Sequence, residues 1–157
     1  MRTKALLLTG ALLVAAGLTS LQAQTVFSFN AVGYVNVEIP SGFSIIANPL
    51  DAESNTVGAL FQDVPNGTTI YNFDAGTGLF SINSFVFGSW SDADAGLEPG
   101  QAVYIFNPGT DAFTSTFIGE VRQGELTTVL PAGFSMASSQ VPQEGLISTD
   151  LAFPAAS

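Results

Sequence analysis

Residues 34–48 read YVNVEIPSGFSIIAN, and the pattern in this stretch decides the fold class. From Tyr34 to Ile39 aliphatic residues alternate with polar or aromatic ones, as in a β-strand with one buried face. Pro40–Gly42 is a turn-forming sequence. The run 43–47 that follows it is again strand-like. Two short strands joined by a turn are therefore predicted here.

Similar runs occur along the rest of the chain, separated by Asn-Gly, Asp-Ala-Gly and Pro-Gly sequences that favour turns. They are rich in β-branched and aromatic residues, and the predicted strands are 68–73, 79–87, 102–106 and 113–121. Residues 102–106 (AVYIF) are apolar on both faces, which predicts a central strand. Only residues 55–62 have the character of a helical turn. The sequence thus predicts an all-β fold, an antiparallel β-sandwich or an open barrel.

The N-terminus has the pattern of an export signal. Arg2 and Lys4 precede the apolar run ALLLTGALLVAAGL at 5–18, and Ala23 supplies a small residue for cleavage. The run is shorter than the roughly 20 residues that a membrane-spanning helix needs. We predict a signal peptide at 1–23 and no transmembrane segment in the mature chain. The expected location is extracellular, at the cell surface or periplasmic.

The composition excludes most catalytic chemistry. The chain has no histidine and no cysteine, and its only lysine, Lys4, lies in the predicted leader. Serine triads, cysteine nucleophiles and Schiff bases each need one of these groups. Carboxylate chemistry remains, but no acidic pair lies in a recognisable catalytic setting. The formal net charge of −10 repels nucleic acid. We predict a protein that is not an enzyme.

An internal repeat sets the domain layout. PSGFS at 40–44 recurs as PAGFS at 131–135, an offset of 91 residues, and flanking positions agree at the same offset. We predict a β-sandwich unit at 24–123 and a partial second copy at 124–157. A truncated reading frame is the favoured explanation for the short copy. The alternative is that its strands complete the first unit.

Three motifs carry a family resemblance. GFSIIANPL at 42–50, IYNFD at 70–74 and LEPGQAVYI at 97–105 resemble the uncharacterised secreted β-rich repeats of Verrucomicrobia-type bacteria. They also look like β-sandwich modules of bacterial surface proteins. The resemblance implies a sandwich fold and a complete second copy, and it brings no catalytic residue with it.

The best metal candidate is the acidic stretch after the only tryptophan. Asp92, Asp94 and Glu98 place carboxylates at a spacing from which calcium could collect oxygen ligands. The stretch lacks the remaining ligands of an EF-hand loop. Its alternative interpretation is a solvated acidic loop. Calcium is the only cofactor that the sequence suggests.

Carbohydrate binding is the second candidate chemistry. Trp90 lies between two serines, and an exposed indole would stack on a sugar ring, with Asn107 or Asp92 offering hydrogen bonds. Tyr71 and Tyr104 lie in apolar runs, where core packing is normal. The phenylalanines are likewise predicted to lie in the core.

These observations favour an exported, non-catalytic structural or adhesive module of the cell envelope or extracellular matrix. The alternative is a carbohydrate-binding module centred on Trp90. The expected partners are polysaccharides or other envelope proteins.

Overall fold

Two antiparallel β-sheets pack together in the computed structural model, which describes residues 31–151. The strands are β1 (Val32–Ile39), β2 (Gly42–Ala47), β3 (Thr69–Asp74), β4 (Leu79–Val86), β5 (Ser89–Trp90), β6 (Ala102–Asn107) and β7 (Phe113–Glu120). A single helical turn, α1 (Val57–Leu60), lies between β2 and β3. The all-β sandwich prediction is confirmed. The predicted signal peptide lies outside the described residues.

The two sheets differ in size. One contains β1 and β7, paired over eight positions from Val32 opposite Glu120 to Ile39 opposite Phe113. The other has five strands in the order β2-β6-β3-β4-β5. β6 lies between β2 and β3, so its predicted central position is confirmed. β1 and β2 belong to different sheets, and the chain crosses between them at Pro40, which has no N–H to donate to either ladder.

The core lies between the sheets and α1. Ile39, Ile105 and Phe117 are almost fully buried, and the Phe61 ring meets the Phe117 ring edge to face at 5.6 Å. Burying each such side chain stabilises the fold by about 1.5–3 kcal/mol. The segment around α1 therefore closes the inner side of the five-stranded sheet. No helix in residues 31–151 has the length and apolar character to cross a membrane.

Beyond Glu120 the described chain contains no further strand, only an isolated bridge between Ala137 and Gln101. Ser138 also donates its N–H to the carbonyl of Gly100 at 2.8 Å. The segment therefore attaches to the turn before β6. Gly42 and Gly133, which the repeat places at equivalent positions, have similar φ values of 90° and 99°. The division into a full unit and a partial second copy stays a prediction.

A buried asparagine ties β2 to two loops. The Asn48 side chain is 0% exposed and uses both its donor and its acceptor groups. Its Nδ2 donates to Asn55 Oδ1 at 3.0 Å and to the Leu97 carbonyl at 2.9 Å. Its Oδ1 accepts from the Leu50 N–H at 3.1 Å. One side chain thus fixes three segments in the interior.

We expect Asn48→Ala to lower the free energy of unfolding by about 2–3 kcal/mol, because it leaves buried polar partners unsatisfied. Urea unfolding followed by circular dichroism measures the change. Asn36→Ala is the matched control, since Asn36 is exposed on β1; its effect should stay within about 0.5 kcal/mol. Equal effects of the two substitutions would contradict this account of Asn48.

Asp51 connects the larger sheet's β2 end to β7 and to the C-terminal segment. Its backbone pairs with Glu120, and its carboxylate accepts from Asn55 Nδ2 at 2.8 Å and from Arg122 Nε at 3.0 Å. The hydrogen bond from Asn55, with that from Arg122, holds the pKa of Asp51 below its ordinary value of 3.8, although burial acts to raise it. Arg122 Nη1 also donates to Gln140 Oε1 at 2.9 Å. The arginine therefore bridges the sandwich and the segment that follows it.

Because the pKa of Asp51 is lowered in the folded state, the stabilisation it provides is present above the unfolded-state pKa. It is lost as the pH falls through the lower folded-state pKa. We expect Asp51→Asn to cost at most about 1 kcal/mol at pH 7, since the ion pair is partly exposed. The difference from wild type should shrink as the pH is lowered from 7 into the range where the Asp51 carboxylate becomes protonated. Urea midpoints measured along a descending pH series test this, and a difference that stays constant down to the lowest pH would refute the charge explanation.

Candidate interaction surface

The five-stranded sheet has an outer face that is open over most of its area. The C-terminal segment reaches one edge of this face, where Phe73 lines a cavity with Thr128 and Leu130. Residues alternate along each strand, so Ser44 and Ile46 of β2 point inward while Phe43 and Ile45 point outward. Eight large apolar side chains share this outer side, which we name the aromatic face: Phe43, Ile45, Tyr71, Phe73, Phe80, Ile82, Tyr104 and Phe106. None of these eight is charged.

The exposed fractions show that this face is open to solvent. Phe43 is 64% exposed, Ile45 61%, Phe80 46% and Ile82 63%. The prediction that the phenylalanines lie in the core is therefore wrong for Phe43 and Phe80. The physical reason is that runs such as AVYIF are apolar on both faces, whereas only one face of this sheet has a covering layer. Contiguous exposed apolar surface on this scale is typical of interaction sites.

Phe87 and Phe134 depart from the core prediction as well. Phe87 is 96% exposed at the tip of the β4–β5 hairpin, and Phe134 is 87% exposed in the C-terminal segment. Phe87 has a φ of 54° beside Gly88 at 81°, as a two-residue hairpin turn requires. Its N–H donates to Asn66 Oδ1 at 2.8 Å, which holds the turn in place.

Four rings on the aromatic face enclose a shallow slot. Phe43, Tyr71, Phe80 and Tyr104 line it; its volume is about 280 Å³ and its lining is wholly apolar. The ring centroids of Phe43 and Tyr71 are 5.7 Å apart, and those of Phe80 and Tyr104 are 6.0 Å apart. Tyr71 and Tyr104 are register partners on neighbouring strands. Antiparallel pairing thus brings together side chains that lie far apart in the sequence.

Trp90 lies on the opposite, inner side of the sheet. It is only 8% exposed, its indole Nε1 donates to the Phe61 carbonyl at 2.9 Å, and its ring packs at 5.4 Å from that of Phe85. The prediction of an exposed tryptophan that stacks on a sugar is therefore wrong. The two flanking serines suggested exposure, but in a strand the neighbours of an inward residue point outward.

Asn107 also has an internal role. It is 1% exposed, and its Nδ2 donates to the carbonyls of Ile39 at 3.2 Å and Asp111 at 2.9 Å. Its Oδ1 accepts from the Gly109 N–H at 2.9 Å. These bonds hold the β6–β7 turn against the end of β1. The predicted role of Asn107 as a surface ligand for sugar is wrong, because its amide is already satisfied inside the protein.

The acidic loop does not assemble a metal site. Asp92, Asp94 and Glu98 are exposed, and residues 31–151 contain no group of three histidine, cysteine or acidic side chains that could hold a metal ion. The loop is instead tied down through its backbone, since the Ala93 and Ala95 carbonyls accept from α1 and the Asp92 N–H donates to Asn83 Oδ1. The geometry therefore gives no support to the calcium prediction, and it favours the alternative interpretation of a solvated acidic loop.

Comparison with known proteins adds no further site. No family model, no curated protein and no solved structure matches the chain. The resemblance to Verrucomicrobia-type repeats stays a prediction. The aromatic face is accordingly the candidate that the geometry itself supplies.

Proposed function

We propose that this chain is an exported, non-catalytic structural or adhesive module of the cell envelope or extracellular matrix, which makes its contacts through the aromatic face. The observation that carries the proposal is the exposure of Phe43, Ile45, Phe80 and Ile82 on one uncharged face. Their strands belong to one hydrogen-bonded sheet, which holds the four side chains in fixed relative positions. A rigid apolar surface of this kind suits a lasting contact.

Composition supports the export and non-catalytic parts of the proposal. The leader-like sequence at 1–23 favours export, and a chain without cysteine relies on its core rather than on disulfides. The lack of histidine, with Lys4 as the only lysine, removes the usual proton-transfer and nucleophilic groups. Thirteen acidic residues against three basic ones favour solubility outside the contact surface.

The slot between the rings favours carbohydrate binding as the second candidate. Sugar rings present apolar C–H faces, and Phe43, Tyr71, Phe80 and Tyr104 line a slot without polar groups. The tyrosine hydroxyls would offer hydrogen bonds at its rim. In this alternative the stacking side chains are on the aromatic face, and Trp90 has no direct part.

Retention of the purified chain on isolated envelopes of the organism that encodes it tests the proposal. We expect Phe43→Ser/Phe80→Ser to lower the apparent affinity at least about tenfold, because each lost ring removes about 1.5–3 kcal/mol of burial. Val32→Ser/Ile118→Ser, which changes exposed side chains of the smaller sheet, should leave retention unchanged. Equal retention of all three proteins would contradict the proposal.

Competition separates the two candidates. Soluble neutral polysaccharide should displace the chain from envelopes if sugar binding is the activity, and Tyr71→Ala should then lower retention in the absence of competitor. Trp90→Phe is the control, since Trp90 is buried on the inner side of the sheet and should not alter displacement. A chain that is retained through the aromatic face but never displaced favours the structural or adhesive role.

A further inference from the structure

The residues of the aromatic face follow a two-fold pattern. Its central row crosses the four strands β2, β6, β3 and β4, and the register places Ile45, Tyr104, Tyr71 and Ile82 side by side in that order. The row reads the same from either end. Its midpoint lies between the two tyrosines, where the antiparallel strands β6 and β3 meet.

The rows on either side obey the same symmetry. From β2 to β4, one row consists of Phe43, Phe106, Thr69 and Ser84. The other row consists of two register pairs, Ala47 with Ala102 and Phe73 with Phe80, each two residues along the strands from the central row. The pairing of β3 with β6 ends at Tyr71 opposite Tyr104, before this row. A half-turn about the sheet normal exchanges the two rows and carries every phenylalanine onto a phenylalanine. It carries every small residue onto another small residue.

The distances between the rings follow the same two-fold symmetry as the residue types. The Phe43 and Tyr71 centroids are 5.7 Å apart, and the related pair Phe80 and Tyr104 are 6.0 Å apart. The two phenylalanine pairs that the half-turn exchanges have separations of 4.8 and 5.1 Å. The face therefore has two bulky corners on one diagonal and two small corners on the other.

Such a face is complementary to itself. A dimer formed face to face has its two-fold axis in the plane of the contact, and that rotation exchanges the diagonals. With the axis across the strands, Phe43 lies over Ala47 of the second copy and Phe80 lies over Ser84. With the axis along the strands, Phe43 lies over Ser84 and Phe80 over Ala47. Either arrangement sets bulky positions on small ones, which close packing favours.

The exposed area suffices for such a contact. A phenylalanine or tyrosine side chain presents 150–250 Å² when fully exposed. At the exposed fractions of Phe43, Ile45, Phe80 and Ile82, with the half-buried rings between them, the face offers roughly 600 Å² per copy. Two copies would then bury roughly 1,200 Å², which reaches the range of specific, stable interfaces.

We propose that the aromatic face is an isologous dimer interface, with a second copy of this chain as its occupant. This inference rests on the proposed function, in which the module makes its contacts through the aromatic face. It names a second copy of the chain as the partner in that contact. The twelve positions of the three rows carry no charge, although the chain has a net charge of −10. Association therefore buries no charged group, and the acidic surfaces around the face repel each other. Salt should strengthen the dimer by screening this repulsion.

Sedimentation equilibrium of the full chain tests the proposal. The wild type should be dimeric at micromolar concentration. Its dissociation constant should be lower in 500 mM NaCl than in 50 mM NaCl. Phe43→Ser/Phe80→Ser should raise the dissociation constant at least about tenfold, whereas Val32→Ser/Ile118→Ser should not change it. All variants keep the same leader, so the leader cannot explain a difference between them.

A second variant guards against loss of folding. Ile82→Glu changes a residue that is 63% exposed, so the monomer should retain its circular dichroism spectrum and urea midpoint. With the axis along the strands the carboxylate would lie against Ile45 of the second copy. With the axis across the strands it would lie against the carboxylate of the second copy. The dimer should dissociate in either arrangement. A wild type that is monomeric at every concentration and salt, or a dimer unaffected by Ile82→Glu, overturns the proposal.

Cross-linking then locates the contact, because the chain has no cysteine of its own. Packed sheets lie about 10 Å apart, which a short bismaleimide can span. Ile45→Cys should cross-link to itself if the axis runs across the strands, or to Ile82→Cys if it runs along them; both results support the interface. Val32→Cys should not cross-link, and preferential cross-linking there would overturn it.

The dimer and the proposed adhesive role can fail independently, and the experiments distinguish the two failures. A monomeric wild type whose envelope retention still depends on Phe43 and Phe80 overturns the dimer and leaves the adhesive role standing. A face-to-face dimer whose retention ignores these residues supports the dimer and contradicts the adhesive role. A monomer that binds neutral polysaccharide through Tyr71 identifies sugar as the occupant and overturns the dimer.

Discussion

The five-stranded sheet has two apolar faces, and the remainder of the sandwich covers only one of them. The small sheet of β1 and β7, with the segment around Phe61, packs against the inner face and forms the core. The outer face presents large aromatic and aliphatic side chains to solvent. Large exposed apolar surfaces favour association, so this imbalance is the physical basis for proposing the outer face as the contact surface.

Charge and shape then divide the surface into two kinds. Among the charged residues of the chain, acidic ones outnumber basic ones by thirteen to three. The strands of the aromatic face have no charged residue at their outward positions. In the proposed arrangement the acidic remainder of the surface repels other copies, and the uncharged face is where two copies associate. Arg122 contributes to the fold rather than to the aromatic face. It forms an ion pair with Asp51 and donates a hydrogen bond to Gln140 of the C-terminal segment.

Local sequence patterns predicted the strands well, because each strand depends on alternation and on the turns beside it. The alternation at 34–39, the central strand at 102–106 and the helical turn within 55–62 all appear in the structure. Sidedness could not be predicted in the same way, since it depends on which face a distant strand covers. Trp90 and Phe43 show this: the residue expected at the surface is buried, and the residue expected in the core is exposed. The two-fold pattern was equally hidden, because it depends on the pairing of β6 with β2 and β3, which lie far from β6 in the sequence.

The most direct test of the aromatic face as a contact surface is hydroxyl-radical footprinting across a range of protein concentrations. The three tyrosines provide an internal comparison, since Tyr71 and Tyr104 lie on the face and Tyr34, 66% exposed, lies on the smaller sheet. We predict that oxidation of Tyr71 and Tyr104 declines as the concentration rises, while oxidation of Tyr34 stays constant. Oxidation of the face that is independent of concentration, or protection of Tyr34 alone, would contradict the account.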